Sequence, residues 1–492
     1  MKQDIFSPGH TPVLVGIGTA SRREEDFRRA LEPMDLMLEA VAAAGRDTGS
    51  PATLAGTQYI AVPRGRWTYR NPAGEIARTV GATHATTVLS SVGVLQQTLI
   101  GEACARITRG EAHTTLVAGA DAGYRLLRAQ IAKATASERN QEDEPDLYLA
   151  PKDELRHPVE RRAGMQMPVG LYAIMESALR ASQGWTVAEH RERLAQLQAR
   201  CSRIAADNPH AWQRSPVSAA EVRDASDRNT MQAFPYTRSH CSTWNVDQAA
   251  ALLFCSAARA NELGIPRSRW VFPMASTESN HMLSVSARAN LSACPGARLA
   301  GRAALDAGAL ETKDLDLVEL YSCFPLAVEA YAHALGLSLE RDLTVTGGMA
   351  FAGGPYNNYL FQATCRAAEL MREGRGRNAL VSCVSGVLTK QGFGLWSLDP
   401  APRGFVQADV SEAAARETPM REVLETYTGD AIVAGYTVLH GRSQPPRGVA
   451  LVDTPRGQRA MATTEDPLLI TRLQEEEFVG RKVRIEANQV MP

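Results

Sequence analysis

The sequence predicts an α/β protein made of two similar halves that are joined in tandem. The first indication is the order of the opening elements, which are an apolar strand at residues 12–18, a helix at 33–44 with apolar side chains at helical spacing, and a second strand at 58–62. The first strand is apolar throughout, as expected of a strand that is buried on both faces. Strand–helix–strand order is typical of a sheet covered by helices.

The second indication is an internal repeat. Residues 101–110 predict an amphipathic helix that ends in glycine, and a short apolar strand follows at 114–119. The same unit returns as a helix at 363–374 and a strand at 378–383. Self-similarity of this kind indicates repeated structural units. We therefore expect two α/β halves that pack about a pseudo-twofold axis, with the starts of equivalent helices meeting at the centre.

Two segments fall outside this repeat. Within the N-terminal half (residues 1–265), residues 130–235 are polar and predict several helices, one of them at 191–205, which suits a lid or a substrate-binding module. The second half covers residues 266–400. After it, residues 405–492 contain short β-type runs separated by Gly and Pro, which predict a small β-rich domain of OB-like type.

The composition excludes several classes of protein. The chain has 492 residues, of which 44% are hydrophobic and 22% are charged, and its formal net charge is −1. Because no basic face is present, we expect no nucleic-acid partner. We also expect no membrane span, because the sequence has no run of about 18 apolar residues. Residues 1–13 lack the apolar core of a signal peptide.

Cysteine usage indicates reduced thiols. No two of the eight cysteines have CxxC spacing, and no set of Cys and His has the spacing of zinc ligands. Scattered cysteines in a long chain are typical of a reducing compartment. We therefore expect a cytoplasmic protein that holds no metal ion and no bound cofactor.

Five short motifs follow one another in order along the chain. They are GEA followed by VAGA at 110–120, DQAAA at 247–251, VELYSCF at 318–324, TGGMAFAGGP at 346–355 and CVSG at 383–386. Each resembles a signature of the thiolase superfamily, where the corresponding segments read GDA…VAGG, DGAAA, VEANEAF or VEVHDCF, NGGAIALGHP and CIGG. The resemblance spans most of both halves and is closest to the branch near the sterol-carrier-protein-type thiolases.

The resemblance implies the thiolase fold, in which two βαβαβαββ halves form five layers of helices and sheets (α-β-α-β-α) with a helical loop insertion. It also implies that CoA or an acyl-CoA is the ligand, as in an acyltransferase of the acetyl-CoA acetyltransferase type in lipid metabolism. A fold by itself does not establish a reaction, because one fold supports many functions. The catalytic positions therefore need separate inspection.

Thiolase chemistry needs four side chains. A cysteine at a helix N-terminus is acylated, and the helix dipole favours its thiolate. A histidine in the GHP loop activates that cysteine. An Asn or His in the NEAF or HDCF loop helps to build an oxyanion hole. A second cysteine, in the CxG motif, moves the proton at the α-carbon of the substrate.

The resemblance implies that the nucleophile and its activating histidine are both replaced. Counting back from the GEA motif without a gap places Gly93 at the nucleophile position. Ser90 and Ser91 would reach that position only in a shifted register. Gly354 replaces the GHP histidine. A glycine has no side chain to acylate, and a serine without a histidine is a weak nucleophile, so thiolysis through an acyl-cysteine is not expected.

The remaining positions give three candidate catalytic residues. Cys383 keeps the second cysteine, although the glycine of its CxG motif is Ser385. Tyr321 stands at the Asn/His position, and its loop is similar to the tyrosine-containing loop of the thiolase-like aldolases that cleave steroid side-chain CoA esters with an OB-fold partner. Tyr356 follows the GGP segment as a second phenol. In a retro-aldol reaction, one tyrosine would take a proton while the other stabilises an oxyanion.

Three further residues are candidates for substrate contact. Met167 and Met175 belong to an apolar stripe in the insertion, which is either core or an acyl-chain groove. His240 precedes the DQAAA motif and is either loop packing or a ligand contact.

Three functions are compatible with the sequence. The leading hypothesis is a thiolase-like protein that binds a CoA ester without thiolase activity. The alternatives are a carbon–carbon lyase of retro-aldol type that acts on a β-hydroxyacyl-CoA, and a non-catalytic scaffold. The added C-terminal domain leaves open a homodimer or a protein partner bound through that domain.

Overall fold

The computed structural model describes residues 7–151, 156–441 and 444–491. Residues 1–6, which belong to the stretch predicted to lack a signal peptide, lie outside the described part of the chain. Across the described ranges, no helix is both long and apolar enough to cross a membrane.

The first half and its insertion contain eight strands and ten α-helices among the described residues. In chain order they are β1 (Pro12–Ser21), α1 (Pro33–Thr48), α2 (Ala52–Ala55), β2 (Tyr59–Pro63), α3 (Pro72–Val80), β3 (Thr86–Ser90), α4 (Gln96–Thr108), β4 (Thr114–Ala122), α5 (Gly123–Ile131), β5 (Leu147–Leu149), α6 (Pro158–Arg162), α7 (Pro168–Ser182), α8 (Val187–Asp207), α9 (Ala219–Arg223), β6 (Met231–Ala233), β7 (Tyr236–Thr237), β8 (Asp247–Ser256) and α10 (Ala257–Glu262). Six strands form a sheet in the order β1-β8-β4-β2-β3-β5. The last four in this order run parallel, whereas β8 is antiparallel to both of its neighbours.

The second half repeats this plan with a smaller sheet. Its elements are β9 (Phe272–Ser279), α11 (Pro295–Gly308), β10 (Leu317–Glu319), α12 (Pro325–Leu335), α13 (Tyr359–Arg372), β11 (Asn378–Ser385), β12 (Lys390–Ser397) and β13 (Val406–Asp409). The five strands lie in the order β10-β11-β12-β9-β13. Here β11 and β12 are antiparallel, as are β12 and β9.

The two sheets and their helices form five layers. Helices α1 and α3 pack on the outer face of the first sheet, α4 and α13 lie between the sheets, and α11 and α12 cover the outer side of the second. Apolar side chains from both sheets pack against α4 and α13, so most of the middle layer is buried. The predicted thiolase fold is therefore confirmed.

The repeated units also meet as expected. Helix α4 leads into β4 and α13 leads into β11. At the centre of the molecule, Gln96 at the start of α4 accepts a hydrogen bond from the backbone N–H of Leu360 in α13 (2.9 Å). The Gln96 amide also donates to Asn357 Oδ1 (3.2 Å). A single side chain thus joins the two equivalent helix starts.

The second half departs from the expected strand pattern at one place. Residues 336–358, all of which the structure describes, contain no strand between α12 and α13. The backbone N–H groups of Val345 and Thr346 donate instead to the carboxylate of Glu319 (2.7 and 2.9 Å). These donors are therefore not free to pair with a neighbouring strand, which explains the irregular segment.

The C-terminal segment forms a closed barrel. It contains α14 (Ser411–Arg416), β14 (Gly429–Leu439), β15 (Arg447–Asp453), β16 (Arg459–Thr464), α15 (Pro467–Glu475), β17 (Lys482–Glu486) and β18 (Gln489–Val490). The strands pair in the order β14-β15-β16-β18-β17, and β17 pairs back to β14. The predicted β-rich domain is confirmed. Five-stranded barrels include the OB-fold, and the more specific OB-like assignment stays a prediction.

The barrel is fixed to the insertion rather than suspended on a linker. The Ser177 hydroxyl of α7 accepts a hydrogen bond from the backbone N–H of Tyr436 in β14 (2.8 Å). Arg180, which is 1% exposed, donates to the Tyr436 hydroxyl (2.7 Å) and to the Glu477 carboxylate (2.8 Å). Strand β6 of the insertion also pairs with the end of β14. The insertion thus connects the barrel to the two-sheet body.

Candidate active site

Gly93 lies in the loop between β3 and α4, where the packing leaves no room for a side chain. Its φ is +104°, a conformation that residues with a Cβ rarely adopt. A Cβ placed on Gly93 would lie 2.8 Å from Pro151 Cγ. The Gly93 carbonyl accepts a hydrogen bond from the ammonium of Lys390 (3.0 Å). The backbone conformation and the packing at position 93 therefore both favour glycine.

Gly354 is restricted by neighbouring side chains rather than by its backbone conformation. A Cβ at this position would lie 1.9 Å from Ser242 Oγ. Its backbone N–H donates to the carbonyl of Thr243 (2.9 Å), so the loop cannot move away without losing that bond. A side chain at position 354 would therefore require the side chains of Ser242 and Met349 to move.

Cys383 lies in β11 and is 1% exposed. Burial raises the pKa of its thiol to about 12, and the backbone N–H groups of Gln97 and Gly392 lower it only in part. Gln97 belongs to the first turn of α4, so the thiol does face a helix N-terminus. Burial outweighs that favourable position, and the neutral thiol is the dominant form at neutral pH. The neighbouring Ser385 is half-buried.

The two serines near Gly93 lack an activating partner. Ser90 is buried, and its hydroxyl has no hydrogen-bond partner among the described residues. The Ser91 hydroxyl donates to the Val92 carbonyl (3.3 Å). Within the described ranges, neither hydroxyl is hydrogen-bonded to a histidine. Neither serine therefore resembles an activated nucleophile.

Tyr321, Cys323 and Tyr356 form a polar group beside Cys383. All three are half-buried. Burial raises the pKa of the Tyr321 phenol well above its ordinary value, and the nearby side chains of Cys323, Cys383 and Tyr356 raise it further. Burial also raises the pKa of Tyr356. The structure thus brings the three candidate catalytic residues together, with both phenols protonated at neutral pH.

The buried carboxylate of Glu319 binds Tyr359, which in turn packs against Tyr321. Glu319, fully buried, accepts hydrogen bonds from the Tyr359 hydroxyl (2.5 Å) and the Thr344 hydroxyl (2.9 Å), besides the two backbone donors described above. The Tyr359 ring packs edge-on against Tyr321, with 5.9 Å between ring centroids. The backbone N–H of Tyr321 donates to the Ser382 hydroxyl (2.9 Å). Tyr321 is thereby held in one position.

An ion pair positions Tyr356. The backbone N–H of Tyr356 donates to the Asp121 carboxylate (3.3 Å). Arg66 donates to the same carboxylate oxygen from Nε (3.0 Å) and Nη2 (2.6 Å). The neighbouring Asn357 donates to the Arg64 carbonyl (3.0 Å). Residues of the first half thus hold the loop that carries Tyr356.

Comparison with known proteins supports the fold. Residues 409–489 match the family described as the thiolase-like protein type 1 additional C-terminal domain. The crystal structure of a monomeric SCP2-thiolase-like protein type 1 from Mycobacterium smegmatis superposes with a TM-score of 0.82 at 26% identity, covering 98% of this chain and 99% of that one. Together these likenesses support a protein of the thiolase superfamily that is related to the SCP2-type thiolases.

Curated relatives of this thiolase-like protein are more distant. Two acetyl-CoA acetyltransferases match in part, one from Methanocaldococcus jannaschii (26% identity over 32% of this chain) and one from Methanothermobacter thermautotrophicus (28% over 40%). The chain spans only 37% and 46% of their lengths. The predicted relationship to the thiolases is confirmed, whereas the activity of these enzymes does not follow for this chain.

Two further solved structures share the fold of the thiolase-like protein. An Ltp2–ChsH2(DUF35) aldolase superposes with a TM-score of 0.59 at 17% identity, covering 80% of this chain and 99% of that one. The acetyl-CoA acetyltransferase of Syntrophomonas wolfei superposes with a TM-score of 0.55 at 18% identity. The match covers 79% of this chain and 99% of that one. At this level of identity the likeness concerns the fold alone.

The three residues predicted to contact substrate occupy different environments in the thiolase-like protein. Met167 is exposed, at the start of α7. Met175 is fully buried, and its sulfur accepts a hydrogen bond from Arg288 (3.1 Å). His240 is buried and bonds through Nδ1 to the Thr237 hydroxyl (2.9 Å). They do not form one surface, and their substrate-binding role stays a prediction.

The sequence did not single out three residues that the site depends on. Glu319 lies within the VELYSCF motif, so its motif position was a usable signal. Gln96 lies at the start of α4. Its role in joining the two helix starts can be recognised only when the position of α13 is known. Lys390 reaches Gly93 from the second sheet, and no local pattern indicates this contact.

A surface cavity of about 500 Å³ lies away from this site. It opens at the N-terminal ends of β2, β3 and β4, whereas the candidate site lies near the C-terminal end of β3. His84, His113 and Arg259 are among its lining residues. None of the predicted site residues lines it.

Proposed function

We propose that this thiolase-like protein binds a CoA ester non-covalently and does not perform thiolysis through an acyl-cysteine. One observation carries the proposal: the nucleophile and histidine positions are closed at Gly93 and Gly354 by neighbouring atoms. A decayed enzyme would show lost side chains with space left behind. Here the surrounding chain has packed into that space.

The remaining cysteine is a poor substitute for the lost nucleophile. With a pKa of about 12, the Cys383 thiol is almost entirely protonated at pH 7, and the thiolate is the reactive form. Ser90 and Ser91 lack a histidine that could remove a proton. The site therefore supports binding and hydrogen bonding rather than covalent catalysis.

The choice of a CoA ester rests on the relatives and on the polar group. The curated relatives are named acetyl-CoA acetyltransferases. Half-buried Tyr321, Cys323 and Tyr356 provide hydrogen-bond donors at one place in the interior. A few fixed polar groups of this kind suit an ester carbonyl.

A thermal-shift series tests the proposal. Free CoA and acyl-CoA esters of short, medium and long chain are added to the purified protein, and we expect at least one ester to raise Tm by mass action. Tyr321→Phe and Tyr356→Phe should weaken that shift. Tyr427→Phe is the matched control, because its hydroxyl bonds to Asp430 in the barrel, outside the site. If no CoA compound shifts Tm, the proposal is wrong.

A carbon–carbon lyase is the second candidate, favoured by the proximity of Tyr321 and Tyr356 and by the fold shared with an aldolase. In retro-aldol cleavage, the β-hydroxyl of the substrate loses its proton, the bond between the α- and β-carbons breaks, and the α-carbon is protonated. The raised pKa values suit both tyrosines to donating a hydrogen bond to the enolate oxygen. Neither suits the role of proton acceptor, so the binding function stands first.

Product analysis distinguishes the two candidates. A lyase would convert a β-hydroxyacyl-CoA into a shorter acyl-CoA and a carbonyl compound. Tyr321→Phe should abolish that turnover, while Tyr427→Phe should not. Unchanged turnover in Tyr321→Phe would dismiss the assigned role of this tyrosine. A CoA ester that raises Tm without any cleavage supports the binding function alone.

A further inference from the structure

Three ionisable side chains meet in the interior between the insertion and the second half. We call Glu176, His190 and Glu329 the Glu–His–Glu cluster. They belong to α7, α8 and α12 respectively, and their side chains are 0%, 0% and 2% exposed. The cluster is separate from the candidate active site, because it contains none of the residues assigned there. Burial of three ionisable groups is costly unless their charges are compensated.

The three side chains of the cluster converge on one point, where His190 and Glu176 are close enough for an ion pair. His190 Nε2 lies 3.1 Å from Glu176 Oε1 and 3.9 Å from Glu329 Oε2. One ligand atom from each residue lies within 4.8 Å of the other two. Yet none of these three atoms has a hydrogen bond of acceptable geometry within the described part of the chain. Since the shorter distance would permit a bond, the angle must be unsuitable.

Such convergence matches the dimensions of a metal site. Tetrahedral zinc has ligand bonds of about 2.0–2.2 Å, so its ligand atoms lie roughly 3.3–3.6 Å apart. The two His–Glu distances fall on either side of this range. One imidazole nitrogen and two carboxylate oxygens are also a usual ligand set for a divalent first-row cation.

The charge of the cluster in its metal-ligand form is compatible with a divalent cation. With both carboxylates ionised and the imidazole neutral, as metal ligands must be, the cluster carries two negative charges. No Lys or Arg forms an ion pair with these carboxylates among the described residues. A divalent cation would balance the two charges, and the dry surroundings would strengthen its binding.

The neighbouring side chains resemble the outer shell of a metal site. The Tyr236 hydroxyl donates to the second oxygen of Glu176, which leaves Oε1 directed at the cluster. The indole of Trp185 stacks on the His190 ring, with 5.6 Å between centroids. Outer contacts of this kind fix the orientation of metal ligands.

We propose that the Glu–His–Glu cluster binds one divalent first-row metal cation of the zinc type, which holds α7 and α8 of the insertion against α12 of the second half. The three ligands leave one coordination position for water. Because the site is buried, the ion would have a structural role. The predicted absence of a metal rested on Cys and His spacing, and ligands from three separate helices have no spacing pattern.

Metal titration of the purified full chain tests the proposal. After chelator treatment, Zn²⁺ is added and the bound metal is measured by elemental mass spectrometry; Co²⁺ is added in parallel and its visible absorption recorded. We expect about one ion per chain, a Tm increase of several degrees, and the Co²⁺ spectrum of a low-symmetry N/O site. Wild-type protein that binds neither ion would overturn the proposal, whatever the variants do.

Variants then locate the ion. Glu329→Gln and His190→Gln should weaken binding by about 10- to 100-fold or more, as loss of ligands or their supports does. His210→Gln is the matched control, because His210 Nε2 also lies 3.0 Å from a glutamate, Glu369, but at a partly exposed site. Equal binding in the cluster variants and in wild type would mean an adventitious ion only, which refutes the proposal. These readouts do not involve a CoA ester, so they stand or fall separately from the proposed function.

Discussion

Pro151 lies against Gly93 so closely that a Cβ on the glycine would be 2.8 Å from its ring. Pro151 comes from the segment just after β5, while Gly93 belongs to the loop that precedes α4. The thiolase nucleophile is thus replaced together with its surroundings.

Restoring a cysteine at position 93 should not restore thiolase activity. We expect Gly93→Cys to lower the free energy of unfolding by about 2–4 kcal/mol, because the φ of +104° strains any side chain and Pro151 occupies the space. Urea denaturation measures the loss. Gly184→Cys is the matched control, since Gly184 has a φ of +69° but a Cβ added there would have no atom within 4 Å. It should lose only about 1 kcal/mol, and an equal loss in both variants would contradict the packing argument.

Cys383 should resist alkylation in the folded protein. Its thiol is 1% exposed with a pKa of about 12, whereas Cys323 has a similarly raised pKa but is half-buried. We expect iodoacetamide at neutral pH to label Cys323 before Cys383, with both labelled equally in denaturant, as followed by peptide mass spectrometry. Rapid labelling of Cys383 in the folded state would reveal an activated thiolate and would count against the proposed function.

Arg180 should be the main polar link between the insertion and the barrel. Its guanidinium is buried and bonded to Tyr436 and Glu477. Because Glu477 is partly exposed, we expect Arg180→Ala to cost about 2–4 kcal/mol, toward the lower part of the range for broken buried pairs. Arg302→Ala removes an exposed helix pair and should cost less than about 0.5 kcal/mol. Equal stability of the two variants would contradict this role.

Asp247 should make the protein less stable as pH rises from about 4 to 7. Burial raises the pKa of its carboxyl to about 7, although the backbone N–H groups of Arg125 and Tyr124 oppose the shift. The unfolded chain ionises this group near its usual pKa of 3.8, while the folded chain keeps the proton until about pH 7. Stability is therefore lost across that interval, by at most about 4 kcal/mol, and levels off above it.

Asp247→Asn should remove this part of the pH dependence. The amide stays neutral, and its oxygen can still accept both backbone N–H groups. Urea midpoints measured at pH 5 and pH 7.5 should therefore differ less in the variant than in wild type. The same difference in both proteins would show that another group is responsible.

Much of the fold was accessible from the sequence because local patterns determine it. Apolar residues at helical spacing and continuous apolar runs predicted several of the helices and strands of both halves, and the repeat predicted that α4 and α13 would meet. The missing strand between α12 and α13 was not predictable. It depends on Glu319, whose carboxylate takes up the backbone donors of a segment distant in the sequence.

The residues at the thiolase positions could be named from the sequence, but their surroundings could not. Motif positions named Gly93, Gly354, Tyr321 and Cys383 as the residues at the thiolase positions. That Pro151 and Ser242 fill the space beside the glycines depends on loop packing, which no periodicity reveals. The pKa of Cys383 likewise depends on burial by both sheets rather than on its motif.

The most direct test of the central claim is intact-protein mass spectrometry after incubation with acetyl-CoA and with the acyl-CoA ester that raises Tm. We expect an unmodified mass under conditions in which the ester is bound, because no activated nucleophile faces the ligand. Stoichiometric addition of an acyl group, located on Cys383, Ser90 or Ser91, would contradict the account.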